Sequence, residues 1–385
     1  MRAIWVLLAA VVVALALATC DTGGEDTPTA TETPSPSPGA SATPAVIGGV
    51  PVEPLEVGES ADFPEDVALI VETGCYGCDG PTSGLLRVYR DAAGSFHRDT
   101  LFTVEQLGLG PRVVTDASGA VTEEPPHVVN YVLSEDASRA VVSVCTRGVC
   151  SELGGEPSGD AQATLFRSLD GGAAWEQWGT LDGSAAPIAM QGEEVLLSRY
   201  EAGTSRFEVF PGGEAIEAPA GAGSGAWPLA LPEGELLWPT NDGRLLYSDG
   251  SVFVEIGGDP THEYQVTSLT PEPWSHTLLF GLYESNFEGE EFLERFYLFT
   301  TDGSGHVLRA FSVAFLPWLG AALGPGQFIG NADLAPERIP AGLRDLGGPA
   351  PVLIDVEAGV ARPIVAPFSD PDFPKGRDFL VGVQR

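Results

Sequence analysis

Lysine is nearly missing from this 385-residue chain. Lys375 is the single example, and arginine raises the basic total only to 19, against 54 acidic residues. The formal charge of −35 excludes the cationic face that nucleic-acid phosphates need, and with it a polybasic hold on anionic lipid. The plain reading of the acidity is a solvated, mutually repulsive surface, ahead of a dedicated cation-binding role. Uninterrupted helical stretches are scarce as well, because 48 glycines and 32 prolines break the chain too often. Also absent are a Gly-x-Ser-x-Gly elbow, a Walker loop, a Gly-x-Gly-x-x-Gly turn and a His-Glu-x-x-His pair, so no cofactor is expected. His97, His127, His262, His276 and His306 are scattered without ligand spacing, and no metal centre is expected from them. Carboxylates are so plentiful that no chosen pair is informative for glycoside hydrolysis.

What is present begins at the N-terminus. Arg2 precedes an apolar run from Ile4 to Ala18, short for a membrane span and shaped like an export signal. It ends in Leu17-Ala18-Thr19-Cys20. These residues resemble the bacterial lipoprotein signal, in which the cysteine takes lipid and becomes the new N-terminus. Thr19 departs from the usual Gly, Ala or Ser before that cysteine. An ordinary cleaved signal with a chance cysteine and a simple anchor helix are the alternatives. The segment that follows, with "TPTATETPSPSPGASATP", cannot bury enough apolar surface to fold, and reads as a semi-stiff tether. The expected organisation is a signal at 1–19, lipidated Cys20 and tether at 20–55, and one folded domain at 56–385.

Within that domain, strand-like runs meet at tight polar turns six times: Asp91–Gly94, Asp170–Gly172, Pro211–Gly213, Asp249–Ser251, Asp302–Gly305 and Glu357–Gly359. Their mean spacing is about 53 residues, a period with several strands per unit that signals a β-propeller. Two further strand candidates precede each of the last five turns, for example "HVVNYVLSE" and "RAVVSVCTR" before Asp170. The first unit shows only "DVALIVETG", and the missing strand is supplied by the orphan at the chain's end, "RDFLVGVQR". The expectation is all-β, six four-stranded blades with the C-terminal strand closing the first. A seventh blade from residues 45–62 and the C-terminus is the rival count.

One turn carries more. Ser168-Leu169-Asp170-Gly171-Gly172-Ala173-Ala174-Trp175 resembles the Asp-box, the BNR repeat of sialidase-like propellers, with Ala174 at the one mismatched position. A short Asp accepts backbone N–H groups across such a turn, Gly172 tolerates positive φ, and Trp175 buries its ring between sheets. The resemblance implies a structural role for Ser168, Asp170, Gly172 and Trp175, and no catalytic role for Asp170.

Setting Cys20 aside leaves Cys75, Cys78, Cys145 and Cys150, an even set that suits disulfides in an exported domain. Both pairs fall in equivalent loops. Local bridges Cys75–Cys78 and Cys145–Cys150 are preferred to crossed bridges between blades, to a four-thiolate zinc site and to a redox Cys-Tyr-Gly-Cys.

A sialidase would need an arginine cluster, a Tyr activated by a Glu and an acid. Arg338-Ile339-Pro340 matches that family's Arg-x-Pro only in letters and lies near the end of the chain. Tyr283-Glu284 and Glu263-Tyr264 are neighbours on a strand, which point to opposite faces and do not couple. "EGEEFLER" at 288–295 reads as a solvated acidic loop tip, and calcium there or at "DPDF" (370–373) is the weaker reading. No catalytic residue is assigned. The expected protein is a monomer held at the outer side of the cell membrane by lipid on Cys20. It would bind or scaffold an extracytoplasmic protein or glycan, with no nucleic-acid partner. The alternative is an exo-acting glycoside hydrolase of sialidase-like type.

Overall fold

The structure is a computed structural model that describes residues 46–73, 84–115, 118–134, 136–150, 157–201, 204–223, 227–232, 234–257, 262–286, 293–315, 317–332, 350–364 and 379–384. The chain is all-β and forms six small antiparallel sheets arranged as a β-propeller. Blade 1 orders Phe379–Gln384, Ala68–Thr73, Gly84–Arg90 and Phe96–Thr103. Blade 2 runs His127–Leu133, Ala140–Arg147, Gln162–Ser168 and Glu176–Asp182. Blade 3 runs Ser184–Gln191, Glu194–Glu201, Thr204–Phe210 and Glu214–Ile216. Blade 4 runs Leu229–Ala230, Leu236–Pro239, Arg244–Tyr247 and Val252–Glu255. Blade 5 runs Glu263–Pro271, Leu278–Asn286, Leu293–Thr301 and Val307–Val313. Blade 6 runs Pro317–Gly324, Gln327–Ala332, Ala350–Asp355 and Val360–Pro363.

Each of the six turns picked out in the sequence joins the third and fourth strands of one blade. The second strands are near-continuous apolar runs such as Ala140–Arg147, buried along almost their whole length. That pattern follows from position, since a middle strand is covered on both faces by neighbouring blades. Fourth strands such as Glu176–Asp182 alternate or stay open, because they form the rim.

The core is a chain of inter-blade seams. Phe102 packs on Trp175 between blades 1 and 2, with ring centroids 4.8 Å apart. Trp178 meets Phe210 at 4.8 Å between blades 2 and 3. Phe207 meets Trp238 at 5.3 Å between blades 3 and 4, and Phe253 meets Phe280 at 6.2 Å between blades 4 and 5. One buried cluster joins Leu279 and Phe311 of blade 5, Phe328 and Ile354 of blade 6, and Leu69 and Val88 of blade 1, so the circle is complete. Edge-on and tilted aromatic pairs of this kind add to area burial.

Closure is where the sequence expectation held and was also extended. The C-terminal strand pairs antiparallel with Ala68–Thr73, as in Leu380↔Val71 and Val383↔Leu69. Residues 45–62 make no seventh blade. Instead Val50–Pro54 adds a parallel strand to the rim of blade 5, with Val46–Ile47 folded against it. Glu56–Val57 then adds a parallel strand to blade 6. Among the described residues, paired strand therefore begins at Val46, ahead of the boundary expected at residue 56. The physical reason is an unpaired rim: the fourth strands of blades 5 and 6 offer open N–H and C=O groups that this strap satisfies. Arg309 secures the junction, donating to Glu53 Oε2 at 3.1 Å and to the carbonyls of Val356 and Glu357. Leu55 and Phe63 of the strap sink into the core.

Candidate functional site

The antiparallel order gives each blade two ends. The first-to-second and third-to-fourth connections share one end, hereafter the turn end. The second-to-third connections and the passages between blades share the other, the loop end. Turn-end connections are short throughout, whereas the loop end carries the long connections 74–83, 104–126, 148–161, 217–228, 333–349 and 365–378, all but 217–228 from blades 6, 1 and 2.

The turn end is closed by aspartate. Asp170 Oδ1 accepts the Ser168 hydroxyl at 2.8 Å and the Ala174 N–H at 3.0 Å, while Ser168 Oγ accepts the Gly172 N–H at 2.9 Å. Trp175 Nε1 donates to Leu101 O of blade 1 at 3.2 Å. Gly172 has φ of +86°, and a Cβ there would lie 2.6 Å from Leu101 Cδ1. All four residues therefore hold a hairpin and lodge it on the preceding blade. Asp91, Asp249 and Asp302 accept turn N–H groups in the same way. In blade 6, Asp355 does so for Ala358. The carboxyls of Asp91, Asp170, Asp249 and Asp302 titrate below their ordinary range. The leading causes are the His97 side chain for Asp91, the Ala174 N–H for Asp170, the Ser251 hydroxyl for Asp249 and the Ser304 hydroxyl for Asp302.

Three built arrangements occupy the loop end. The first is an extra hairpin in the passage from blade 1 to blade 2, Arg112–Thr115 with Val121–Glu124, which forms a sheet of its own. Buried Arg112 donates to Glu124 Oε2 at 2.8 Å, Pro125 O at 3.2 Å and Gly148 O at 2.7 Å. Gly148 N–H returns a bond to Val113 O at 2.9 Å. The second is the disulfide Cys145–Cys150, which pins the adjoining loop of blade 2. Cys75 and Cys78 lie outside the described residues, as do Cys20, Arg338-Ile339-Pro340, 370–373 and Lys375.

The third is centred on Glu284. Its carboxylate accepts Tyr297 Oη at 2.6 Å and Tyr264 Oη at 3.3 Å, and lies 2.5 Å from His262 Nδ1. The adjacent pairs indeed do not couple, but strand register places Tyr264 directly opposite Glu284. Tyr283 turns the other way and donates to Glu294 at 2.8 Å. Burial, then the bond to Glu284, pushes the Tyr297 hydroxyl upward. Burial and Glu294 likewise push Tyr283 up to about 12. Both phenols are thus held protonated, as donors. In blade 3, Arg199 and Glu208, both buried, form a comparable pair at 3.1 Å.

The first strands of neighbouring blades approach one another around the axis, linked by Asn130 Nδ2 to Pro187 O at 2.9 Å. Among the described residues of these six strands, Glu263 is the only carboxylate and there is no Arg or Lys. No group of three His, Cys, Asp or Glu side chains suited to a metal occurs among the described residues.

No family model matches the chain, and no curated protein matches it. Among solved structures, a chain of a nidogen/laminin complex is similar at 12% identity and a TM-score of 0.41, covering 83% of this chain and 97% of that one. A chain of a mitotic checkpoint complex is similar at 10% identity and 0.37, covering 94% and 98%. A protein of unknown function from Bacteroides caccae is similar at 12% and 0.28, covering 64% and 94%. Likeness of this degree fixes neither family nor partner.

Proposed function

We propose that this chain is a lipid-anchored, extracytoplasmic propeller of Asp-box type that binds a protein partner through its loop end. The observation that carries the reading is the gathering of the long blade connections at that end, most of them over blades 6, 1 and 2. Loops on a rigid scaffold are where binding residues collect. The axial strands favour binding over hydrolysis, because a glycosidase needs converging carboxylates and a sialidase also an arginine cluster. The Glu284 cluster is the nearest approach to such a set. Its Tyr297 is a protonated donor and only 4% exposed, so that phenol is not presented to a substrate as a nucleophile.

Photocrosslinking from opposite ends tests this. A benzophenone side chain replaces Val121 at the loop end or Leu169 at the turn end, in the full chain in its native membrane. A protein adduct from position 121 and none from 169 is expected. An adduct from 169 alone ends the reading, and a glycan adduct from 121 changes the partner class. Palmitate labelling of Cys20→Ala tests the anchor: label should disappear, and label that persists removes the lipoprotein assignment.

A further inference from the structure

The extra hairpin is amphipathic across its two faces. Arg112 and Val114 point inward, 9% and 6% exposed, while Val113 is 44% and Val121 65% exposed. Register sets Thr115 opposite Val121 and Val113 opposite Glu123. The outward face therefore presents Val113, Thr115, Val121 and Glu123 together. Val149 of the disulfide-pinned loop, 41% exposed, lies beside it through the Gly148–Val113 bond. Isolated exposed valines need no explanation, but here three are gathered on one rigid unit. That unit is held by a buried guanidinium with three carbonyl or carboxylate partners and by a neighbouring disulfide. Fixing a surface hairpin so firmly lowers the ordering cost of docking against it.

Charge selects the occupant. The hairpin's lone described cation, Arg112, is buried and neutralised by Glu124, which leaves Glu123 open on a protein of net charge −35. From this, resting on the loop-end reading above, the geometry points to the outer face of the paired strands Arg112–Thr115 and Val121–Glu124 as the docking surface for an extended, basic and apolar-alternating segment of the partner protein. Valines would bury against the partner's apolar side chains, Glu123 would face its Lys or Arg, and Val121–Glu124, which pairs only with Arg112–Thr115 among the described strands, offers main-chain pairing.

The probe is a short peptide alternating Val and Lys, with Ser/Lys and Val/Glu counterparts, titrated calorimetrically against the full chain. The Val/Lys peptide should bind, slow amide exchange in residues 112–124, and weaken about tenfold on the V113S/V121S variant. Both substitutions are at exposed positions, and a circular dichroism spectrum and melting midpoint like the parent's would show that the ring is intact. Equal binding of the Ser/Lys peptide, unchanged affinity in V113S/V121S, or protection appearing only outside this unit would overturn the assignment. If the peptide fails while position 121 still crosslinks a protein, the loop-end reading stands and only the docking surface falls. If neither occurs, both fall.

Discussion

The two ends of the blades are made by the same strands, yet they use their polar groups in opposite ways. At the turn end, polar atoms bond within a turn or to the next turn. Arg139 reaches Gly192 O, Gln191 reaches Gly234 O at 3.2 Å, and Glu272 Oε1 accepts the Gly326 N–H at 3.1 Å. These bonds pass from blade 2 to 3, from 3 to 4 and from 5 to 6, so that end is knit circumferentially. At the loop end, Arg112, Arg199 and Glu284 bond inward beneath excursions of very unequal length. The lesson is a division of labour: one end fixes the spacing of the blades, which leaves the other free to vary.

The contrast can be tested by damage at each end. The largest loss is expected from Gly305→Ala at the turn end. Gly305 has φ of +86°, and a Cβ would fall 2.0 Å from Phe253 O of blade 4. Strain and clash together should cost about 3 kcal/mol, read as a lower denaturant midpoint with the slope retained. Next comes the C145S/C150S variant at the loop end, expected to lose about 2 kcal/mol for so short a loop. Its amide exchange should rise first around 145–162, with the turn end unchanged. If this variant proves more damaging than Gly305→Ala, the division of labour is wrong.

A smaller effect is expected from Asp170→Asn, and it should appear in pH dependence. Asp170 is held below the ordinary carboxyl range by the Ala174 N–H and then the Ser168 hydroxyl. Its contribution is therefore complete above the unfolded value, near pH 4, and is lost as pH falls through the lower folded value. Parent and variant should converge in denaturant midpoint as pH drops below about 4 and differ at neutral pH. A gap that stays constant across that window would show that the turn carboxylate does not act through its charge. The smallest effect belongs to Val113→Ser and Val121→Ser, within about 0.5 kcal/mol, since neither side chain is buried.

Much of the ring was legible because its signals are local. Asp, Gly and Ser at the third-to-fourth turns mark hairpins by turn chemistry, and the second strands announce themselves as apolar runs. The orphan strand at 379–384 was placed by counting, since one blade lacked a member. The strap was not legible. Val50–Pro54 contains two prolines and its partner is Val307–Val313, so neither composition nor spacing betrays the pairing. The hairpin at 112–124 fell between units and carried no repeat to flag it. Glu284 was missed for a related reason: its partners lie 20, 13 and 22 residues away, and cross-strand register, not adjacency, brings them together. Alternation would have located Tyr264 once the turn at 272–277 was fixed.

The strap carries a consequence for how such a chain reaches its final form. Val52 aligns with Ala310, and Leu69 with Val383, so these early strands are completed only by strands much further along the chain. Contacts that span so much sequence fold slowly, because loop entropy is lost before they form. During synthesis, blades 2 to 4 have all their strands in hand while the first waits for the C-terminus. Until then two raw sheet margins stay open to wrong partners, and a chaperone guarding this protein would have its longest task at those two margins.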